Sequence, residues 1–174
     1  MQDTIASIVN RYDCTGKYLD NLAMNEIKNY FSTAIIRLQV IEMINQSSSK
    51  IIQEAANRLY TEQPELLRPG GNSYTTRRYS ACLRDIEYYL RYASYALIAG
   101  NVELLDERVL DGLKETYNSL NVPLGPTIRS IQLLEDIICT EFDINTKKQN
   151  TNSNITFIQK PFQHMVKILS DQNI

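Results

Sequence analysis

A cysteine thiol between Tyr74 and Gly100 is surrounded by charged side chains. Cys82 follows a pair of arginines by about one helical turn, and a third arginine and Asp85 come shortly after it. An α-helix turns by about 100° per residue, so these side chains would form two adjacent stripes along the helix. The members of the first stripe would lie within about 60° of one another around the helix axis. The first stripe contains Arg78, Cys82, Asp85 and Tyr89, and the second contains Arg77, Arg84 and Tyr88.

Each residue type in these stripes suggests a chemical role. Neighbouring cations favour the thiolate, which is the nucleophilic form of cysteine. Guanidinium groups bind carboxylates in bidentate fashion, a nearby carboxylate accepts hydrogen bonds from N–H groups, and tyrosines supply flat apolar walls. A long conjugated pigment with propionates and pyrrole N–H groups, joined to sulfur by a thioether, would suit this set.

Simpler interpretations of the same residues remain open at this point. A lone cysteine on a helix is most often a small buried hydrophobe. The arginines could pair with Asp85 and Glu87 on a solvated face. Tyrosines at helical spacing are more often part of a core or an interface than of a cofactor site.

Hydrophobic residues repeat with the helical period along most of the chain. The pattern predicts a helix from about Asp20 to Ile44 that the cluster Ser47, Ser48, Ser49 interrupts, and a further stripe that stops before Pro64. Thr75 or Thr76 is the expected N-cap of the helix with Cys82, and Gly100 is its expected C-terminal stop, which gives a length of roughly 24 residues.

The second half of the chain continues this pattern. A shorter helix is expected over Leu104–Leu113, a loop over 121–127 with Pro126 in the first turn of the next helix, an exposed loop over 143–154, and a last helix around Phe162–Leu169. No alternating strand pattern competes. We therefore expect an all-α, globin-like fold with about seven or eight helices.

Length and charge restrict the possible classes of protein. The 174 residues suit one domain, which we expect to span 1–174, with a helical extension at 1–20 and a globin-like body at 21–174. The formal net charge of −2 argues against a nucleic-acid binder. The chain has no run of about eighteen apolar residues, so no membrane span is predicted. The N-terminus resembles neither a secretory signal nor a transit peptide, so we expect either action in the compartment of synthesis or a mature form of the sequence.

The usual catalytic and metal-binding residues are scarce. Cys14, Cys82 and Cys139 are far apart and form no C-x-x-C motif, so neither a metal site nor a disulfide framework is expected. His164 is the single histidine, and histidine is the commonest catalytic base and metal ligand. We expect a protein that is not an enzyme.

Longer stretches of the chain resemble a known family. They are RPGGN (68–72), YTTRRYSACLRDIEYYLRYASYALIAG (74–100), LDERVLDGLKETYNSL (105–120), VPLGPT (122–127), and the N-terminal MQDTI and GKYLD. The chain resembles the phycobiliproteins, and within them the β-type chains of allophycocyanin, over about residues 1–138.

This resemblance implies a cofactor and a set of site residues. One phycocyanobilin, an open-chain tetrapyrrole, would be attached to Cys82 by a thioether. Asp85 would hold the inner pyrrole N–H groups, and Arg84, with Arg77 or Arg78, would bind propionates. The other implied sites are pigment walls at Tyr88 and Tyr117, N4-methylasparagine at Asn72 near the pigment, and subunit contacts at Asp13 and Arg91. Cys14 and Cys139 match no attachment position.

The resemblance also implies partners, a location and a function. The N-terminal extension would pair with an α-type chain, and three heterodimers would form a trimer that contacts the core-membrane linker and core linkers, without nucleic acid or membrane insertion. The chain would pass excitation energy towards photosystems at a plastid thylakoid, on its stromal side, or at the cytoplasmic face of a cyanobacterial one.

The subtype and the class of function each have an alternative. Residues 60–71 and the part after Cys139 resemble a low-copy subtype that replaces an ordinary β chain near the terminal emitter. An ordinary β chain is the alternative. A pigment-free signalling or scaffolding protein with the same fold is an alternative from another class.

Overall fold

Helices make up the regular structure of the residues that the computed structural model describes, 3–149 and 156–171. They are α1 (Thr4–Asp13), α2 (Asn21–Ser32), α3 (Ala34–Glu62), α4 (Thr76–Ala99), α5 (Glu103–Leu105), α6 (Leu113–Ser119), α7 (Leu124–Gln149) and α8 (Thr156–Ser170). A 3-10 turn covers Pro64–Leu67 and a π-helical turn covers Asp106–Leu110. No strand occurs in these residues, and the predicted all-α class is confirmed.

Local sequence signals set both ends of α4. The side chain of Thr75 accepts a hydrogen bond from the backbone N–H of Arg78 at 3.4 Å, which caps the first turn. Gly100 ends the helix in a left-handed conformation with φ of 66°, which costs glycine little. Both predicted boundaries and the length of 24 residues are confirmed.

The predicted break at the serine cluster is wrong. Ser47, Ser48 and Ser49 lie inside α3, because the buried stripe that includes Ile44 continues on their far side with Ile51, and this packing outweighs the low helix propensity of serine. The chain breaks earlier, at Thr33. Thr33 is the C-cap of α2, and its N–H and its hydroxyl both bond to the carbonyl of Asn29.

Three further boundaries differ from the predictions. Helix α7 begins at Leu124, which shortens the predicted loop at 121–127 but leaves Pro126 in the first turn. It also continues to Gln149 where a loop was expected, and 150–154 lie outside the described residues. The expected helix over 104–113 is split, because the backbone forms a π turn and then Gly112 adopts φ of 71°.

The core lies between α3, α4, α7 and α8. Its fully buried side chains include Leu59, Ile86, Leu90, Ile131, Ile138 and Phe162. Helices α1 and α2 contribute little to it, since Ile8 and Ala23 are their buried residues. Near the middle of α4, Ile86 and Tyr89 belong to this core. Over the described ranges, every helix is too short or too polar to cross a membrane.

Candidate functional site

A cleft of about 320 Å³ opens along the first half of α4. It lies between α4, the turn that precedes it, and the segment that leads into α7. Its polar lining residues on α4 are Arg78, Cys82, Asp85 and Tyr89, which are the members of the first predicted stripe. The walls are mostly apolar and include Leu59, Leu66, Ile86, Val122 and Pro126. The cleft thus combines a thiol and a carboxylate with apolar surface, as ligand sites commonly do.

The thiol of Cys82 is half-buried between hydroxyl groups. Tyr60 donates a hydrogen bond to the Oγ of Ser73 at 3.0 Å, and both residues are buried beside Cys82. Burial raises the pKa of the Cys82 thiol, and hydrogen bonds with Tyr60 and Ser73 lower it in part. Burial has the largest effect on this sulfur, and no arginine is among the groups that shift its pKa.

The carboxylate of Asp85 is held on two sides. The Tyr117 hydroxyl donates to Oδ2 at 2.9 Å, and an amino group of Arg84 lies 3.2 Å from Oδ1. The hydroxyl of Tyr89 lies 2.6 Å from that of Tyr117, and burial raises the pKa of both phenols. Asp85 therefore presents an oriented acceptor to the cleft, held by one neutral phenol and one guanidinium group.

The turn before α4 brings Asn72 and Ser73 to the cleft. A Cβ at Gly71 would collide with the carbonyl oxygens of Glu65 and Leu66, so only glycine permits this close approach to the 3-10 turn. The Asn72 amide donates to the carbonyl of Asn121 at 3.3 Å. This bond connects the turn to the segment on the opposite wall.

Comparison with known proteins gives the family. Residues 7–169 match the family model described as "Phycobilisome protein". The chain belongs to the phycobilisome protein family. It is 63% identical to "Allophycocyanin subunit beta-18" of Aglaothamnion neglectum and 58% identical to that of Pyropia yezoensis, in each case over 174 residues and all of both chains. It is 45% identical to "Phycobiliprotein beta chain" of Mastigocladus laminosus over 174 residues, again with full coverage of both chains.

These relatives confirm the resemblance to β-type allophycocyanin chains. Several relatives carry the name beta-18, which favours that subtype over the ordinary β chain. The chain is a light-harvesting subunit of the phycobilisome core. Members of this family carry bilin chromophores attached at cysteine.

The second predicted stripe lies outside the cleft of this phycobilisome protein. Arg77 and Arg84 are exposed, and Tyr88 is 40% exposed on the outer face of α4. The guanidinium carbon of Arg91 lies 4.7 Å from the centre of the Tyr88 ring, and that of Arg84 lies 5.9 Å from it. Of the predicted wall tyrosines, Tyr117 lines the cleft and Tyr88 does not.

The remaining predicted residues do not line the cleft. Asp13 is exposed at the end of α1, and Arg91 is exposed on α4. Cys14 is exposed, whereas Cys139 is half-buried in α7, where burial and neighbouring carboxylates raise its pKa to about 11. Neither of these two cysteines lines the cleft.

The two hydroxyl groups beside the thiol were not predicted from the sequence. Tyr60 lies near the end of α3 and Ser73 belongs to the turn, so their proximity to Cys82 depends on how that turn folds. The glycine pair at 70–71 was the available signal for a close backbone approach, but it does not indicate which side chains meet. A search among the described residues finds no group of metal-ligating side chains.

Proposed function

We propose that this chain carries one phycocyanobilin, joined by a thioether to the sulfur of Cys82, and passes its excitation energy towards the photosystems. The observation that supports this most is a single cleft that contains both the thiol and the oriented Asp85 carboxylate. In this proposal the protein positions a chromophore and catalyses no reaction.

The residues that line the cleft fit such a group. The volume of about 320 Å³ is at the lower end of the usual range for ligand pockets, so the cleft suits the inner part of an elongated molecule whose ends reach its rim. Cys82 offers the sulfur for a thioether, Asp85 offers an acceptor for N–H groups, and Arg78 offers a cation for a propionate. The apolar walls restrict motion of a flat conjugated system.

The function of these side chains is to keep the pigment stiff. When bound, an open-chain tetrapyrrole absorbs the light, and rotation about its methine bridges would return the energy as heat. Cys82 would anchor one ring, and Asp85 would hold the inner pyrrole N–H groups. Arg78 would bind a propionate inside the cleft. Because each of these contacts removes a rotation, the chain favours emission or transfer over loss as heat.

The exposed residues would complete the site at its edge. Arg84 would bind a propionate from outside the cleft, with Arg77 as an alternative to Arg78, and Tyr88 would cover pigment that extends beyond the rim. We also propose that Asn72 is N4-methylated. Methylation leaves one amide N–H, which is enough for the bond to the carbonyl of Asn121.

An α-type chain is the expected partner across the N-terminal helices. Five side chains on α2, the start of α3 and the end of α4 are apolar and more than half exposed: Leu22, Phe31, Ile35, Leu38 and Ile98. Such a surface commonly marks a protein interface. Asp13 and Arg91 would form charged contacts there, as part of a heterodimer and then of a trimer of heterodimers.

The environment of the assembly follows from the subtype. We propose that the chain replaces an ordinary β chain near the terminal emitter, in contact with the core-membrane linker and core linkers. The assembly would lie on the stromal side of a plastid thylakoid, or on the cytoplasmic side in a cyanobacterium. The chain would form one domain, with residues 1–20 as its pairing extension.

The test is to produce the chain in bacteria that make phycocyanobilin and a bilin lyase for β-type chains. We expect the mass of the chain to increase by one bilin, and zinc-enhanced fluorescence to appear on a denaturing gel. Cys82→Ala should lose both signals while far-UV circular dichroism stays helical. Cys14→Ala and Cys139→Ala are matched controls that should keep the pigment. A pigment that persists in Cys82→Ala would contradict the proposal.

A further inference from the structure

We propose that Tyr89 is a positioning residue for the pigment, which acts through Tyr117 on the carboxylate of Asp85. This inference rests on the proposed function, and it adds a residue and a direction of action. Tyr89 and Tyr117 are 3% and 7% exposed, so their hydroxyl groups exchange little with solvent. Both phenols line the base of the cleft next to Asp85.

The direction of the hydrogen bonds follows from counting protons. An ionised carboxylate can only accept, so the Tyr117 hydroxyl donates its single hydrogen to Oδ2 of Asp85, at 2.9 Å. The oxygen of Tyr117 then acts as the acceptor for Tyr89, at 2.6 Å. The two hydroxyl hydrogens therefore both point towards the carboxylate.

Such a chain strengthens each of its bonds. A phenol whose oxygen accepts a hydrogen bond becomes a better donor, and this polarisation is larger in a buried site than in water. Burial raises the pKa of both phenols, so they stay neutral and keep the hydrogens that the chain needs. The hydrogen bond from Tyr117 to Asp85 is thus stronger than it would be if Tyr117 accepted no hydrogen bond from Tyr89.

The two sides of Asp85 differ in rigidity. Arg84 approaches Oδ1 at 3.2 Å from an exposed side chain, and an ion pair of that kind is weak and mobile. The tyrosine pair approaches Oδ2 from the core, where Tyr89 is fixed among buried residues of α4. Because the orientation of the carboxylate depends on the rigid side, Tyr89 contributes to the geometry that any N–H donor in the cleft meets.

The first experiment measures coupling in the full chain produced without pigment. Urea unfolding of Tyr89→Phe, Asp85→Asn and the double variant gives a double-mutant cycle. In the unmodified background, we expect loss of the Tyr89 hydroxyl to lower the folded-to-unfolded ratio by a factor of about five, the factor for one ordinary hydrogen bond. In the Asp85→Asn background, we expect a smaller factor. Equal factors in both backgrounds would overturn the inference.

The second experiment uses the pigmented chain and expresses every signal per bound bilin. Tyr89→Phe should keep the pigment but lower the emission quantum yield, because the carboxylate that meets the pyrrole N–H groups is then held less firmly. Tyr117→Phe should lower it at least as much, and the double variant should match Tyr117→Phe alone, because Tyr89 acts through Tyr117. Tyr92→Phe, on the same helix and outside the cleft lining, is the control that should change nothing.

A further variant separates donor strength from packing. Difluorotyrosine at position 89 keeps the size of the ring and donates more strongly, so emission should equal or exceed that of the unmodified chain. Loss of emission in this variant, or unchanged emission in Tyr89→Phe, would overturn the inference and leave the proposed function intact. Absence of pigment from the unmodified chain would instead overturn the proposed function, and this inference with it.

Discussion

The two ends of helix α4 use polar side chains in opposite ways. At the first end, Arg78, Cys82 and Asp85 face a cleft and keep hydrogen-bonding capacity for a ligand. At the last end, Arg37 and Tyr30 come from other parts of the chain and bond to backbone carbonyls of the helix. One helix can therefore serve both as a binding surface and as an anchor, because its two ends have different neighbours.

Arg37 is the main anchor at the last end of α4. The residue is 6% exposed, and its guanidinium donates to the carbonyls of Leu97 and Ile98 at 3.1 and 3.2 Å and to that of Tyr30 at 2.6 Å. The centre of the Tyr30 ring lies 4.0 Å from the guanidinium carbon, and the Tyr30 hydroxyl donates to the carbonyl of Ile98. These bonds satisfy carbonyls that a helix end leaves without partners.

Arg37→Ala should have the largest effect on stability. It removes a buried cation with three bonds and leaves carbonyls unsatisfied, so we expect the free energy of unfolding to fall by about 3 kcal/mol or more. Urea unfolding measures this change. Arg58→Ala, which removes an exposed pair with Glu54, is the control and should cost less than about 1 kcal/mol. Similar losses in both variants would contradict the anchoring role.

Gly100→Ala should have the next largest effect. A Cβ there would lie 2.7 Å from the Tyr30 ring and 2.6 Å from the Thr4 hydroxyl, and φ of 66° is itself unfavourable for alanine. We expect chemical unfolding to show a loss of about 2 kcal/mol, of which roughly 1 kcal/mol is backbone strain. Gly112→Ala is the matched control, because its φ is 71° and its Cβ meets nothing within 4 Å. If both substitutions lower the free energy of unfolding by the same amount, the close contacts predicted for a Cβ at position 100 do not affect stability.

Thr75→Ala tests the cleft end with a smaller change. It removes the side chain that caps the backbone N–H of Arg78, so we expect thermal unfolding to show a loss of about 1 kcal/mol. Thr76→Ala removes a neighbouring hydroxyl that is not the cap and should stay within about 0.5 kcal/mol. If Thr75→Ala remains folded and loses about 1 kcal/mol but also loses pigment signal per folded chain, the cap also positions Arg78.

Local features at both ends of α4 can be predicted from the sequence. The face shared by Arg78, Cys82 and Asp85 follows from helix periodicity alone, because only neighbours along one helix are involved. The helix boundaries at Thr75 and Gly100 follow from local capping chemistry. Both features depend on residues that are close together in the chain, and the sequence therefore suffices to predict them.

Contacts that depend on tertiary packing could not be predicted in this way. Arg37 is sixty residues from Leu97, and no local pattern indicates that it closes the end of α4. The proximity of Tyr60 and Ser73 to Cys82 depends on the fold of the intervening turn. The predicted break at the three serines was wrong because the buried isoleucines on either side of them keep α3 helical.

Asp85→Asn should have the smallest effect on stability and a clear effect on the pigment. Asparagine keeps the size of the side chain and an oxygen that can accept from Tyr117, so we expect unfolding to change by about 1 kcal/mol or less. The amide is a weaker acceptor for N–H groups than a carboxylate. Attachment at Cys82 should therefore persist, while the visible band weakens and moves to the blue.

Absorption spectra of the purified variant, normalised to bound bilin, measure this change. Glu87→Gln is the control, because it neutralises an exposed carboxylate on the same helix and should leave the band unchanged. An unchanged band in Asp85→Asn would remove Asp85 from the site. A large loss of stability with no spectral change would mean that the cleft end of α4 also uses its polar groups to hold the fold, so the contrast with the anchored end would disappear.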